Sequence, residues 1–343
     1  MIPSISVEDY FQKNLLCSFP LIDVRSPLEF QKGHIPGSLS IPLFTDEERG
    51  KVGTIYKLRG REEAVLLGLE LIGPNLKTIA KQVLKLVPEK KALVQCWRGG
   101  MRSSSFAELL KTLGFEVYTL KGGYKSFRNW TLKEFQKPLH LRILGGFTGS
   151  GKTEILKIFP KLNVQIIDLE KLASHFGSVF GTLGRLIQPS QEQFENDLVM
   201  ELFLLDRSQV IWMEDESRTL GRIGIPEGVW LQMRCSPLFK IEIPFQKRID
   251  NIKKDYGHIS SEFVKECIQK ISKRLGGVES QNALRCVHEG DINGIIELLL
   301  KYYDRTYEMG QKNRITESIE NLYFTEESLP EIADKLIRST LAT

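Results

Sequence analysis

Short apolar runs alternate along the chain with longer stretches in which apolar residues recur at helical spacing. Such runs predict buried strands, and the longer stretches predict helices. Strands that alternate with helices form parallel sheets with helices on their faces, so the pattern predicts an α/β fold. The expected strands are 19–25, 38–43, 90–96, 116–120, 141–146, 163–169 and 209–215, and the expected helices are 61–87 (broken at 73–75), 103–113 and 152–159.

The alternation of strands and helices occurs twice in the 343 residues. One domain typically has ~100–200 residues, so the length also favours two domains. The stretch 133–138 separates the two patterns, and we expect domains at residues 1–135 and 136–343. After residue 244 the pattern is mostly helical and rich in Lys and Glu, which predicts a helical C-terminal part.

Composition and charge narrow the class of protein. A net charge of +4 permits a polyanionic partner without requiring one. The five cysteines form no Cys-x-x-Cys pair and have no histidine cluster nearby, which argues against a disulfide framework and a zinc site. Because no apolar stretch approaches the ~20 residues of a membrane span and the N-terminus lacks signal-peptide features, we expect a cytoplasmic protein without a membrane partner.

The sequence QCWRGGMRSS places a cysteine after a strand and before a helix. Gly99 and Gly100 allow the loop to curl so that its N–H groups bind an anion. Arg98 and Arg102 add positive charge, which favours a thiolate. Cys96 is therefore a candidate nucleophile, with Arg98 and Arg102 as candidate catalytic residues. The alternative is a buried core cysteine at the end of a strand.

The sequence GFTGSGKT matches Gly-x-x-x-x-Gly-Lys-Thr in the required context, after a strand and before a helix. The N–H groups of such a loop surround phosphates, the lysine adds positive charge, and the threonine hydroxyl can bind Mg²⁺. The motif predicts a site for a phosphorylated ligand and does not identify that ligand. The candidate binding residues are Gly146, Thr148, Gly149, Ser150, Gly151, Lys152 and Thr153, and Thr153 is also the candidate Mg²⁺ ligand.

Acidic residues follow two strands of the second half. Asp215 or Glu214, after the apolar run VIWM, could orient Mg²⁺ through water. Alternatively, these acids cap a helix or pair with Arg218 and Arg222. Asp168 lies where nucleotide kinases often contact their substrate, and the alternative is a solvated loop acid.

Two stretches of the first half resemble a rhodanese domain. The sequence LIDVRSPLEFQKGHIPGSLSIPLF is similar to its beginning, and LKGGYKSFRNW is similar to its end. The resemblance implies that Cys96 is a sulfur- or selenium-carrying nucleophile and that Asp23 and Arg25 frame its loop. Rhodanese loops place four residues between cysteine and arginine, whereas five separate Cys96 from Arg102. Since five is the spacing of cysteine-dependent phosphatases, the loop belongs either to a phosphatase or to an enzyme with a phosphate-containing chalcogen donor.

Besides the two loops, five further segments carry a resemblance that runs over nearly the whole chain: residues 47–72, 168–181, 188–196, 214–226 and 302–308. With these segments the chain resembles the tRNA 2-selenouridine synthases. Where that family usually has arginine and glycine, this chain has Phe176 and Lys171, so an anion contact is absent or replaced there.

The family resemblance implies a two-step modification of the wobble 2-thiouridine of tRNA. Geranyl diphosphate first alkylates the sulfur, and selenium from selenophosphate then replaces the geranylthio group. The second loop, with Mg²⁺, would neutralise the departing diphosphate. The Cys96 loop would accept selenophosphate. The implied partners are tRNA, both small substrates, and the enzyme that produces selenophosphate.

The chain offers candidates for binding the larger substrates. The basic segments 247–256 and 265–277 are candidates for tRNA, and residues 65–72 or the aromatics Phe176 and Phe180 for a geranyl channel. The alternatives are that the basic helix faces are only solvated, as charged faces usually are, and that core packing explains the apolar candidates at least as well. The competing functions are a cysteine-dependent phosphatase, a P-loop kinase or ATPase with a rhodanese module, and a sulfur-relay binding protein.

Overall fold

The computed structural model describes residues 2–12, 18–175, 187–256, 261–311, 314–315 and 318–339. Contacts between backbone positions divide the chain into two compact units. The first unit is Met1–Gln136 together with Ser190–Met200, and the second is Lys137–Pro189 together with Glu201–Thr343. A short segment from the second half of the chain is therefore part of the first unit, which no sequence signal indicated.

The first unit is built on a five-stranded parallel sheet with strand order β1-β5-β4-β2-β3. Its strands are β1 (Ser4–Ile5), β2 (Leu21–Asp23), β3 (Leu39–Ser40), β4 (Lys91–Gln95) and β5 (Glu116–Leu120). Its helices are α1 (Val7–Gln12), α2 (Pro27–Lys32), α3 (Asp46–Arg59), α4 (Arg61–Ile72), α5 (Leu76–Leu86), α6 (Met101–Thr112) and α7 (Gly123–Glu134), with a 3₁₀ turn at Gly73–Asn75 between α4 and α5.

The central strand β4 is buried on both sides, as expected for a parallel sheet covered by helices. Ala92 and Val94 pack with Phe106 of α6 in one apolar cluster. On the other side of the sheet, the ring of Phe11 stacks on that of Trp130, with a centroid distance of 4.9 Å. The expected strands and the break in helix 61–87 are confirmed, whereas α3 was not predicted.

The second unit contains another five-stranded parallel sheet, with strand order β12-β11-β6-β8-β7. Its strands are β6 (Leu141–Gly146), β7 (Gln165–Ile167), β8 (Ile211–Glu214), β9 (Thr219–Leu220), β10 (Ile223–Gly224), β11 (Leu238–Glu242) and β12 (Ile319–Tyr323), of which β9 and β10 form a separate antiparallel pair. Its first helices are α8 (Lys152–Ile158), a 3₁₀ turn at Phe159–Leu162, α9 (Leu169–Ala173), α10 (Gln191–Leu204) and α11 (Glu227–Cys235). The α/β prediction is confirmed for both units.

The later part of the second unit is mostly helical, as expected. It comprises α12 (Phe245–Tyr256), α13 (Ser261–Leu275), α14 (Gly277–Glu289), α15 (Ile292–Gln311) and α16 (Leu329–Ser339). Helices α13, α14 and α15 share an apolar core around Ile268, Ala283 and Leu299. Among the helices of the described ranges, none combines the length and the apolar character needed to cross a membrane.

Candidate active site

Cys96 lies directly after β4, and the loop that follows ends at the first turn of α6. The side chain is nearly buried, at 3% exposure. Its Sγ lies 3.3 Å from the hydroxyl of Ser103 and 4.0 Å from the carbonyl oxygen of Gly100. Sequence reasoning missed Ser103, although it directly follows the arginine of the Cys-x₅-Arg pattern.

The Cys96 loop is tied to the start of α7. The N–H of Tyr124 donates to the carbonyl of Cys96 at 2.9 Å, and that of Lys125 donates to the carbonyl of Trp97 at 2.9 Å. Gly123, with φ of +59°, lies so close that a Cβ there would be 2.1 Å from the Cys96 carbonyl oxygen. The glycines of the KGG sequence therefore allow direct contact between the two backbones.

The two arginines of the loop are placed differently. Arg102 donates to Glu29 at 2.7 Å. Burial alone would raise the pKa of Glu29, but hydrogen bonding to Arg102 and the charge of that residue lower it overall. Arg98 is exposed. Both arginines remain predicted catalytic residues.

The frame beneath the loop is a buried ion pair, as the rhodanese resemblance implied. The guanidinium of Arg25 binds both carboxylate oxygens of Asp23, Oδ2 at 2.6 Å and Oδ1 at 3.0 Å, and donates to the carbonyl of Gly33 at 2.7 Å. It also lies 3.8 Å from the centre of the Tyr124 ring. This pair connects the end of β2 to the helix that supports the Cys96 loop.

The first part of α10 packs into the first unit behind Tyr124. The buried amide of Asn196 donates at 2.8 Å to the Tyr124 hydroxyl and at 2.8 Å to the His34 carbonyl. Arg128 of α7 donates to the Asn196 side chain at 2.5 Å and pairs with Glu195. These contacts explain why Ser190–Met200 belongs to the first unit.

The loop from Gly146 to Thr153, here called the P-loop, follows β6 and leads into α8. Gly146, Gly149 and Gly151 have positive φ values of 146°, 81° and 83°. A Cβ at Gly149 would lie 2.9 Å from the carbonyl of Arg248, so that position has no space for a side chain. Both the backbone conformation and the space around the loop therefore require glycine there.

Two side chains of the P-loop contact Glu214, the last residue of β8. The hydroxyl of Thr153 donates to Glu214 at 3.0 Å, and the ammonium group of Lys152 lies 3.4 Å from the other oxygen of that carboxylate. Lys152 also donates to the Phe147 carbonyl at 3.5 Å. Glu214 is thus the acid that faces the P-loop lysine and threonine.

Three carboxylates converge beside these groups. One oxygen from each of Glu170, Glu214 and Glu216 lies within 4.8 Å of the others. Burial, followed by the charges of Glu214 and Glu170, raises the pKa of Glu216 well above its usual value. Because crowded carboxylates repel one another, the cluster with Thr153 suits a hard divalent cation. Sequence reasoning missed Glu170 and Glu216.

Asp215, one of the two acids expected to orient Mg²⁺, lies in a hydrogen-bonding network. Its carboxylate accepts from the Tyr307 hydroxyl at 3.0 Å and from Arg314 at 2.7 Å, and Arg234 lies 3.6 Å away. Asp215 is therefore part of a buried network, and Glu214 is the acid that contacts the P-loop side chains. Neither of the arginine partners considered from the sequence is used.

Asp168 caps a short helix in the structure. Its side chain accepts from the Lys171 N–H at 2.8 Å, at the start of α9. Glu170, two residues later, is the one that joins the acidic cluster. The other departure from the family pattern, Phe176, lies outside the described residues, as does Phe180.

Helices α12 and α15 hold the P-loop backbone from outside. Arg248 donates to the Thr148 carbonyl at 2.9 Å, and Asp304 binds its guanidinium at 2.5 and 3.0 Å. The Tyr307 hydroxyl accepts from the Gly146 N–H at 2.9 Å. Burial raises the pKa of Tyr307, which keeps its hydroxyl protonated.

The predicted contact surfaces for large substrates are at least partly exposed. Lys253 and Lys265 point to solvent on α12 and α13, whereas Arg248 of the same basic segment is buried against the P-loop. On α4, Leu66 and Leu69 are 57% and 64% exposed.

Comparison with known proteins assigns the two units. Residues 8–129 match the description "Rhodanese-like domain", and residues 139–328 match "tRNA 2-selenouridine synthase AAA domain". The tRNA 2-selenouridine synthase of Bdellovibrio bacteriovorus is 39% identical, over 83% of this chain and 72% of its own length. Those of Sulfurovum sp. and Marinobacter nauticus are 37% and 34% identical, over 87% and 88% of this chain and 90% of each relative. The chain therefore belongs to the tRNA 2-selenouridine synthase family of tRNA-modifying enzymes.

Proposed function

We propose that the protein converts the wobble 2-thiouridine of tRNA to 2-selenouridine in two steps. In the first, geranyl diphosphate alkylates the thiocarbonyl sulfur: a sulfur–carbon bond forms and diphosphate leaves. In the second, selenium derived from selenophosphate bonds to C2 of the base and the geranylthio group leaves. The proposal is supported above all by the presence, in one chain of this family, of an anion loop with a cysteine and a separate phosphate-binding loop.

The first step is assigned to the P-loop. Diphosphate carries several negative charges as it leaves, and N–H groups, a lysine and a cation stabilise such charge. Lys152, at the start of α8, would supply the lysine charge. The ion pair with Glu214 holds its ammonium group at the loop until the substrate arrives.

A magnesium ion fits the same place. Its ligands would be the Thr153 hydroxyl and Glu214, with Glu170 and Glu216 as the neighbouring carboxylates. Oxygen ligands of this kind are those that Mg²⁺ prefers. When bound, the ion would neutralise charge on the diphosphate. Its presence would also relieve the repulsion among the three acids.

The second step is assigned to the Cys96 loop. A loop with five residues between cysteine and arginine accommodates a tetrahedral anion such as selenophosphate, and the N-terminus of α6 adds partial positive charge. The enzyme that makes selenophosphate is the expected source of this substrate. Cytoplasmic tRNA is the expected acceptor, with its backbone bound by exposed lysines of α12 and α13.

The proposal is tested with the full chain, a 2-thiouridine anticodon stem-loop, geranyl diphosphate, Mg²⁺ and selenophosphate. Mass spectrometry of the wobble nucleoside is expected to show a geranyl gain and then replacement of sulfur by selenium. Lys152→Ala is expected to block the first change. Cys96→Ser is expected to block only the second, so the S-geranyl nucleoside accumulates, whereas the exposed Cys235→Ser serves as the control.

A nucleoside that stays unchanged would contradict the proposed function. One alternative would then be favoured by a specific contact, because the Cys96–Ser103 pair also suits a cysteine-dependent phosphatase. That alternative requires hydrolysis of an aryl phosphate that depends on Cys96 and needs no RNA.

A further inference from the structure

Ser103 is completely buried and lies in the first turn of α6. Its hydroxyl is 3.3 Å from Sγ of Cys96 and 3.0 Å from the carbonyl oxygen of Gly100. A serine hydroxyl has one proton and therefore can serve only one of these two acceptors at a time. Whether the Cys96 sulfur is protonated decides which of the two acceptors receives the Ser103 hydrogen bond.

The neighbouring Ser104 allows the Ser103 hydroxyl to turn from the Gly100 carbonyl to the sulfur. Its hydroxyl donates to the same Gly100 carbonyl at 3.3 Å, so that carbonyl keeps a partner when Ser103 turns away. While Cys96 is a thiol, Ser103 donates to Gly100 and can accept from the S–H group. When Cys96 is a thiolate, the sulfur only accepts, and the Ser103 proton turns to it. A hydrogen bond to an ionised group is stronger than one to a neutral carbonyl, which favours the turn.

The chemistry of selenophosphate decides what this thiolate attacks. Selenium in that molecule is at the oxidation level of selenide. Its transfer to Cys96 as a selenosulfide, with release of phosphate, would remove two electrons and so require an oxidant. Attack of the thiolate on phosphorus requires none, and five-residue loops of this type accommodate a tetrahedral phosphoryl group.

We propose that Ser103 is a further catalytic residue, whose hydroxyl stabilises the Cys96 thiolate as that thiolate accepts the phosphoryl group of selenophosphate and later releases it. This inference rests on the proposed function. The sulfur lone pair forms the S–P bond, and the P–Se bond breaks with its electron pair on selenium. The products are S-phosphocysteine and selenide, and selenide then replaces the geranylthio group at C2 of the base.

The thiolate is regenerated by water. An O–P bond forms, the S–P bond breaks with its electron pair on Sγ, and the protons of water go to phosphate and solvent. No atom changes oxidation level in either half. The Ser103 hydroxyl matters most in this second half, because the departing sulfur regains its negative charge in a buried place.

The experiment uses the full chain and selenophosphate under anaerobic conditions, with a rapid denaturing quench and mass spectrometry of the Cys96 peptide. The expected product is Cys96 carrying one phosphoryl group and no selenium. Ser103→Ala is expected to prolong the lifetime of this adduct on the order of tenfold, as loss of a charge-assisted hydrogen bond implies. Ser105→Ala, which changes an exposed serine of the same helix, is expected to behave like the wild type, and Cys96→Ser to give no adduct.

A second readout separates a catalytic role from a structural one. Ser103→Ala is expected to lower kcat for selenation of the S-geranyl stem-loop with little change in KM for the RNA. Selenium alone on Cys96, or selenation of the RNA with no phosphorylated Cys96 in either the wild type or Ser103→Ala, would overturn the inference and leave the proposed function intact. Loss of selenation by the wild type under all conditions would instead refute the proposed function, and this inference with it.

Discussion

Replacement of Asp215 by alanine tests whether this acid stabilises the fold, in contrast to Glu214, which faces the proposed Mg²⁺ site. The carboxylate lies between the side chains of Arg314 and Arg234, which are only 1% and 9% exposed. Burial lowers the pKa of Arg234, as does the charge of Arg314, while Asp215 opposes both effects. Asp215→Ala leaves two buried cations side by side, and the loss of one partner from a buried pair costs about 3–5 kcal/mol.

This loss is large enough to measure by thermal or urea unfolding. For a unit of this size it corresponds to a fall in Tm of roughly 6–20 °C. The matched control is Glu214→Gln, one residue earlier on the same strand end. Glu214→Gln removes the ion pair with Lys152, but it also relieves the repulsion among three crowded carboxylates, so a much smaller loss of stability than for Asp215→Ala is expected. Glu214→Gln is also expected to weaken Mg²⁺ binding, as measured by titration calorimetry.

The reasoning would be refuted if Asp215→Ala unfolded like the wild type. It would also be refuted if this variant kept its fold and lost Mg²⁺ binding while Glu214→Gln bound the ion normally. That second result would assign the metal-facing role to Asp215, the other of the two acids considered from the sequence.

Three further predictions follow from the two loops. Gly123→Ala is expected to abolish selenation while geranylation continues, because its Cβ would overlap the nucleophile loop; equal rates of both steps in nucleoside analysis would contradict this. Glu29→Gln is expected to reduce the free energy of unfolding at pH 7. The pKa of Glu29 is lowered, so its pair with Arg102 stabilises the fold only while Glu29 is ionised. The difference from the wild type should therefore vanish as the pH falls below 4.5, the usual pKa of a glutamate. Lys152→Ala is expected to weaken pyrophosphate binding by tenfold or more in titration calorimetry, whereas Lys157→Ala, on the solvent side of the same helix, should bind normally.

The sequence predicts best what local chemistry determines. GFTGSGKT requires glycine at positions with positive φ, and the structure has three of its glycines in such conformations. Cys96 was expected between a strand and a helix because the apolar run before it and the small residues after it are adjacent in the chain. The α/β class followed from periodicity in the same way.

Side-chain partners from distant parts of the chain could not be predicted in this way. Glu170, in α9, comes close to Glu214 and Glu216, which lie two residues apart at the end of β8, only when these two segments of the chain meet. The choice between Glu214 and Asp215 did have a signal, because alternate residues of a strand share a face. Trp212 packs in the apolar core against α8, so Glu214 lies on the same face as Thr153.

The position of α10 in the chain affects when the first unit can complete its fold during translation and whether that unit can be produced as a separate fragment. Residues Ser190–Met200 complete the first unit, yet they are made after more than fifty residues of the second. During translation the first unit therefore stays incomplete until this helix has left the ribosome, because Tyr124 and Arg128 lack their partner Asn196 until then. A fragment cut after Gln136 would lack the same helix permanently, and supplying residues 190–200 as a peptide is the natural way to restore it.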